Sequence, residues 1–172
     1  MSQPADARAG LAIRQADLIR ALTAHGSLPA GFDEARIHAA ALSLTRKRSR
    51  AAARMWPRLS RAAGAKFGQL FAAYAESAPL PQKGGPLADG RAFARWLHER
   101  GELPEAGRLE ALAVDLRYST VGGGLIRRRW PAFKAARDTG ARRFILAVRL
   151  TWIGEYWLSF PVRGGGHKGP VP

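Results

Sequence analysis

Residues 33–75 read DEARIHAAALSLTRKRSRAAARMWPRLSRAAGAKFGQLFAAYA, and this stretch decides the fold. Asp33 and Glu34, followed by a long run rich in Ala, Arg and Leu, predict a helix from Glu34 to about Trp56. Asp33 is placed to cap the free N–H groups of the first turn, and Phe32 to staple back onto Ile37. Ile37, Ala41, Leu44, Arg48 and Ala52 recur at helical spacing and define one face. Pro57 breaks this helix or opens a new one at its first position, and Gly64 punctuates the short segment that follows. A further helix from Ala65 to about Ser77 carries Phe67, Leu70, Phe71 and Tyr74 as its apolar stripe.

The same stretch concentrates charge of one sign. From Ala35 to Ala75 there is no acidic residue and there are nine basic ones, in a chain of 172 residues whose formal net charge is +15. Arg46, Arg50, Arg54 and Arg58 recur every four residues, which makes one stripe on a helix; Lys47 and Arg61 broaden it. Like charges at that spacing cost a few tenths of a kcal/mol each. An uninterrupted row therefore points to a docking surface for phosphates or an acidic protein partner, against the alternative of a solvated helix face. Arg48 falls nearer the apolar face, so its stem is expected to pack and its head to pair with a carboxylate such as Asp115 or Glu110.

Outward from this centre, Asp6 to His25 reads as a helix and Pro79 to Asp89 as a loop. A helix is expected from Gly90 to Arg100 with Asp89 as its cap, and another from Pro104 to about Tyr118. Ser119 to Gly124 reads as a glycine-rich linker. Arg127, Arg128 and Arg129 beside Trp130 form a second basic patch, suited to stacking a base or holding a phosphate, or simply a charged connection. Arg142 to Val162 then alternates with period two. Phe144, Leu146, Val148 and Leu150 point one way, as do Tyr156, Leu158, Phe160 and Val162 after a turn at Thr151 to Gly154. Pro131 to Arg137 offers a third strand through a turn at Asp138, Thr139 and Gly140.

The expectation is an α+β chain: a helical domain of five to six helices over 1–118, a Gly/Arg-rich linker over 119–130, a small antiparallel β lobe over 131–163, as a hairpin or three-stranded meander, and a disordered tail over 164–172. Such a sheet leaves an edge able to accept an extended peptide as an added strand, unless that edge is covered or too twisted. Arg142, Arg143, Phe144, Arg149, Tyr156 and Trp157 are the candidates to hold it, with a preference for acidic peptides.

Several function classes lose their footing. The chain has no Cys, so disulfides, thiolate zinc sites and Cys nucleophiles are out. The four histidines are scattered without metal-ligand spacing, and the triple glycines lack the frame of a phosphate loop. No nucleophile elbow and no acid–base carboxylate pair stands out, so the expectation is a protein without catalytic residues, metal or cofactor. No apolar run approaches the roughly 20 residues of a membrane helix, and the N-terminus lacks a signal-peptide pattern, which makes a cytoplasmic protein the expectation.

A series of small motifs carries a resemblance. These are Gly31-Phe32-Asp33, Arg46-Lys47-Arg48, Met55-Trp56-Pro57-Arg58-Leu59, Gly64 with Phe67, Leu70-Phe71 and Tyr74. Asp89-Gly90, Phe93-Ala94 with Leu97, and Gly101-Glu102-Leu103-Pro104 complete it. From about Phe32 to Tyr118 the chain resembles an actinobacterial family that occurs beside, or fused to, a TIM-barrel iron enzyme. It is more distantly similar to the HvfC/BufC/MbnC partner proteins, whose N-terminal domain is described as DNA-binding. The resemblance implies a partner of a multinuclear non-haem iron enzyme that modifies ribosomally made precursor peptides. It implies that the β lobe helps to present the peptide's leader, and it implies no catalytic residue in this chain. The short C-terminal lobe departs from the HvfC group. The competing expectation is a nucleic-acid-binding protein that uses the arginine stripe together with Arg127 to Trp130.

Overall fold

The structure, a computed structural model, describes residues 8–13, 15–17, 33–138, 141–150 and 152–161. The fold is α+β, with helices first and small antiparallel sheets after them. Residues 8–13 and 15–17 are helical. Five helices follow: α1 (Glu34–Met55), α2 (Pro57–Ala63), α3 (Phe67–Ser77), α4 (Gly85–Glu99) and α5 (Glu105–Arg117), with a 3-10 turn at Gly64–Lys66. Strands β1 (Tyr118–Val121) and β2 (Gly124–Arg127) pair as one hairpin. Strands β3 (Ala132–Asp138), β4 (Arg143–Leu150) and β5 (Gly154–Pro161) form a meander in the order β3-β4-β5.

Local chemistry sets the boundaries. Asp33 accepts from the N–H groups of Ala35 and Arg36 at 2.9 and 3.3 Å and so caps α1. Its proposed companion Phe32 lies outside the described residues, as do Thr139, Gly140, Thr151, Val162 and the tail. Pro57 occupies the first position of α2, where its missing N–H costs nothing. The two N–H groups just inside α2 that lack an intrahelical partner, those of Arg58 and Leu59, donate to the Glu110 carboxylate on α5 at 3.2 and 2.8 Å. One side chain thus caps a helix that has no local capping residue.

The core is aromatic. Trp56, Leu59, Phe71, Phe93 and Leu97 are fully buried, and Phe67, Phe71, Tyr74 and Phe93 pack with ring centroids 5.1 to 6.1 Å apart. The indole N–H of Trp56 donates to the Leu87 carbonyl at 3.1 Å, so the buried ring leaves no polar atom unpaired. Gly90 makes room for that ring: a Cβ there would sit 2.2 Å from it.

Beneath the arginine stripe lies a buried ion pair. Arg48 donates from Nε and Nη2 to the two oxygens of Asp89 at 3.0 and 2.9 Å. The Tyr74 hydroxyl donates to the same carboxylate at 3.1 Å, and both terminal nitrogens of Arg48 reach the Ala78 carbonyl at 3.4 Å. Arg48 is buried as expected, but its partner is Asp89, neither Asp115 nor Glu110. Asp115 instead holds Arg91 in a two-pronged pair at 2.7 Å that joins α4 to α5. Asp89 is consequently not a cap. Helix α4 starts four residues earlier, at Gly85, because Gly84 takes a left-handed turn and Pro86 favours the first helical turn.

The stretch expected as a linker is ordered. Gly122 and Gly123, with φ of 56° and 75°, make the two-residue turn that closes β1 onto β2. The hairpin is fastened to the start of α4, where the Leu125 N–H donates to the Lys83 carbonyl at 3.3 Å. Gly124 is needed at that seam, since a Cβ would lie 2.8 Å from the Lys83 oxygen. The meander packs through Ala132, Ile145 and Ala147 onto Leu112 and Leu116 of α5.

Candidate functional site

Helix geometry turns each residue by about 100°, so Arg46 and Arg50 stand roughly opposite the buried Arg48. Arg46, Lys47, Arg50, Arg54, Arg58 and Arg61 are all exposed, and none forms an ion pair with a carboxylate among the described residues. The helix repeat sets Arg46, Lys47, Arg50 and Arg54 on one side of α1, while Arg58 and Arg61 are exposed on α2 beyond the Trp56 break. The second patch does not act as a unit. Arg127 and Arg129 are exposed, and Trp130 is 80% exposed. Arg128 is turned inward, its Nε donating to the carbonyls of Asp115 and Tyr118 at 3.1 and 3.0 Å. It pins the β1–β2 hairpin to the end of α5.

The sheet candidates divide between two faces. Arg143 and Trp157 reach the side that overlooks the helices. There they line a groove of about 610 Å³ together with Met55, Leu109, Ala113 and Ile145. Arg58, Arg117 and Glu110 also line it, so three guanidinium groups and one carboxylate border a trough of mixed character. Phe144 and Tyr156 point to the opposite, outer face, and Arg142 lies in the turn before β4 with φ of 50°. Arg149 is engaged within the fold, donating to the Arg128 carbonyl at 3.2 Å. Sequence reasoning missed the helical half of the groove: Met55, Leu109 and Arg117. Periodicity puts Leu109 on the core face of α5, and no pattern local to Met55 or Arg117 turns either toward the sheet.

One contact ties β5 to the helices. Arg117 donates from Nε and Nη2 to the Glu155 carboxylate at 2.6 and 2.7 Å. This hydrogen-bonded pairing holds the Glu155 carboxyl below its ordinary value. Among the described residues no strand pairs with the outer edge of β5, which runs beside the groove. Among them, too, no group of three or more His, Asp or Glu is arranged to hold a metal, and no helix is long and apolar enough to cross a membrane.

Fold and site together define a small α+β module, helices first and sheets after, that leaves both cationic and apolar side chains exposed. The family described as SCO6045-like, C-terminal domain, matches residues 12–99, half of the chain, and the chain belongs to that family. It is also 36% identical over 146 residues to a UPF0276 protein of Streptomyces avermitilis. That match takes in 84% of this chain and only 29% of the relative, so the chain spans less than a third of that protein's length. No solved structure matches.

Proposed function

We propose that this chain is a non-catalytic partner of a TIM-barrel multinuclear iron enzyme, working in the cytoplasm to help present a ribosomally made precursor peptide. The observation that carries this reading is the match of most of the chain to a minor part of a much longer protein, in a family described as a C-terminal domain. A module that recurs joined to a larger body fits work done beside that body. The motif resemblance from Phe32 to Tyr118 supplies the kind of enzyme. The iron belongs to that partner. In this reading Arg46, Arg50, Arg54 and Arg58 carry the electrostatic part of docking. The peptide is added along β5, where Arg143 and Trp157 border the groove.

The cation stripe, without a carboxylate partner among the described residues, also favours a second reading, binding to nucleic acid through Arg46, Lys47, Arg50, Arg54, Arg58 and Arg61. Phosphate contacts release counterions, so such binding collapses as salt rises. Capture from the native lysate at low and moderate salt separates the two. A stoichiometric protein of TIM-barrel size retained at moderate salt supports the partner reading. Nucleic acid alone, lost as salt rises, overturns it in favour of the second.

A further inference from the structure

The outer face of the β3-β4-β5 sheet is apolar, and no described residue packs over it. Cross-strand pairing puts Phe144 opposite Phe160 and Leu146 opposite Leu158, with Phe133 and Tyr156 flanking Val148. Phe133 is 75% exposed, and Phe144, Tyr156, Leu158 and Phe160 are 42 to 49% exposed. Arg137 is the lone charged residue that the register places on this face. Antiparallel sheets that expose one face normally make it polar; a sheet apolar on both faces is built to be covered on both. The inner face has α5. The outer face has nothing among the described residues.

We infer that this outer face seats the module on the protein body that corresponds to the unmatched part of the UPF0276 relative. The inference rests on the partner reading and names the surface through which it works. Three considerations select that occupant. The near absence of charge on the face argues against recognition of a polyanion there and for an apolar protein surface. Three strands, one of seven residues and two of eight, cover roughly 15 by 25 Å, on the order of 400 Å². Two such faces bury about 800 Å² in all, too little for a stable pair of identical chains but enough for the apolar centre of a larger interface. And the relative carries additional chain, 71% of its length, joined to the region matched here. Trp130 and the Trp152-Ile153 turn, all at least 68% exposed, lie at the same end of the sheet as the start of β3 and extend the patch toward such a body.

The test is photo-crosslinking in the native cell, with benzoylphenylalanine placed at position 158 on the outer face or at position 54 on the stripe. Position 158 is expected to capture a polypeptide homologous to the unmatched part of the UPF0276 relative, on the same chain or a separate one. Capture only of second copies, only of unrelated proteins, or of nothing overturns the inference. If position 54 captures that polypeptide and position 158 does not, the surface assignment fails while the partner reading stands. If neither does, both fail. A paired variant guards against misfolding. Leu158→Asp is expected to keep the melting temperature while cutting capture from a probe at position 133 roughly ten-fold, as removal of a central contact does. Undiminished capture overturns the inference.

Discussion

The helical half and the three-stranded sheet solve the problem of apolar surface in opposite ways. The helices turn Trp56, Phe71, Phe93 and Leu97 wholly inward and bury even a guanidinium with its carboxylate. The sheet commits one face to α5 and leaves Phe133, Phe144, Leu158 and Phe160 in contact with water. What differs between the two regions is closure. The helical half completes itself. The sheet is finished only by something placed on it.

Substitutions sharpen this contrast, and the largest effect belongs to the closed half. Asp89→Ala strands the Arg48 charge in the core, with an expected loss of about 3–5 kcal/mol in chemical denaturation. A smaller loss would mean that water reaches the pair and that the helical half is less closed than described. Gly90→Ala pushes a methyl group against the Trp56 ring and is expected to cost about 1–3 kcal/mol by the same measurement.

Two pH experiments come next. Burial, with the Asp89 carboxylate beside it, pushes the Tyr74 hydroxyl well above its ordinary 10.0. The folded state then holds this proton more tightly than the unfolded state, so stability falls as pH rises above 10. Tyr74 phenolate absorbance is expected to develop only as the protein unfolds, and Tyr74→Phe to remove that part of the alkaline loss. At the sheet, Glu155 lies below its ordinary 4.5 because Arg117 binds its charged form. Its contribution is present above that value and disappears as pH falls through the lower, folded one. The melting temperature of Glu155→Gln should therefore approach that of the unmodified protein as pH drops below 4.5. The smallest effect is on the open face, where Phe133→Ser should change stability by no more than about 0.5 kcal/mol. A large loss there would break the comparison, because the face would then be closed from within.

Much of this was legible in residues. The period of α1, α3 and α5, the Asp33 cap and the Pro57 restart follow from rules that act within a turn or two of helix. The alternation of Arg142 to Val162 announced a hairpin, and Pro131 to Arg137 its third strand. Alternation did not say which face is buried, because Ile145 and Ala147 are as apolar as Phe144 and Leu146; contact with α5 decides it. The Gly122-Gly123 pair reads as a linker when its neighbours are ignored. Between Tyr118-Ser119-Thr120-Val121 and Leu125-Ile126 it is a hairpin turn. Asp89 sits where a cap belongs, and only the approach of α1 to α4 reveals it as the partner of Arg48. The groove escaped for the same reason: its residues come from four helices and three strands, and no local pattern joins them.

The placement of the tryptophans has a spectroscopic consequence. Trp56 is sealed in the core, whereas Trp130, Trp152 and Trp157 stand in or near water on the sheet lobe. The native emission spectrum should therefore be weighted toward red, readily quenched indoles that lie where a partner would sit. Ordinary fluorescence, with no attached label, would then report on the open half through three indoles and on the closed half through Trp56 and the half-buried Trp96, whose emission is bluer and better protected.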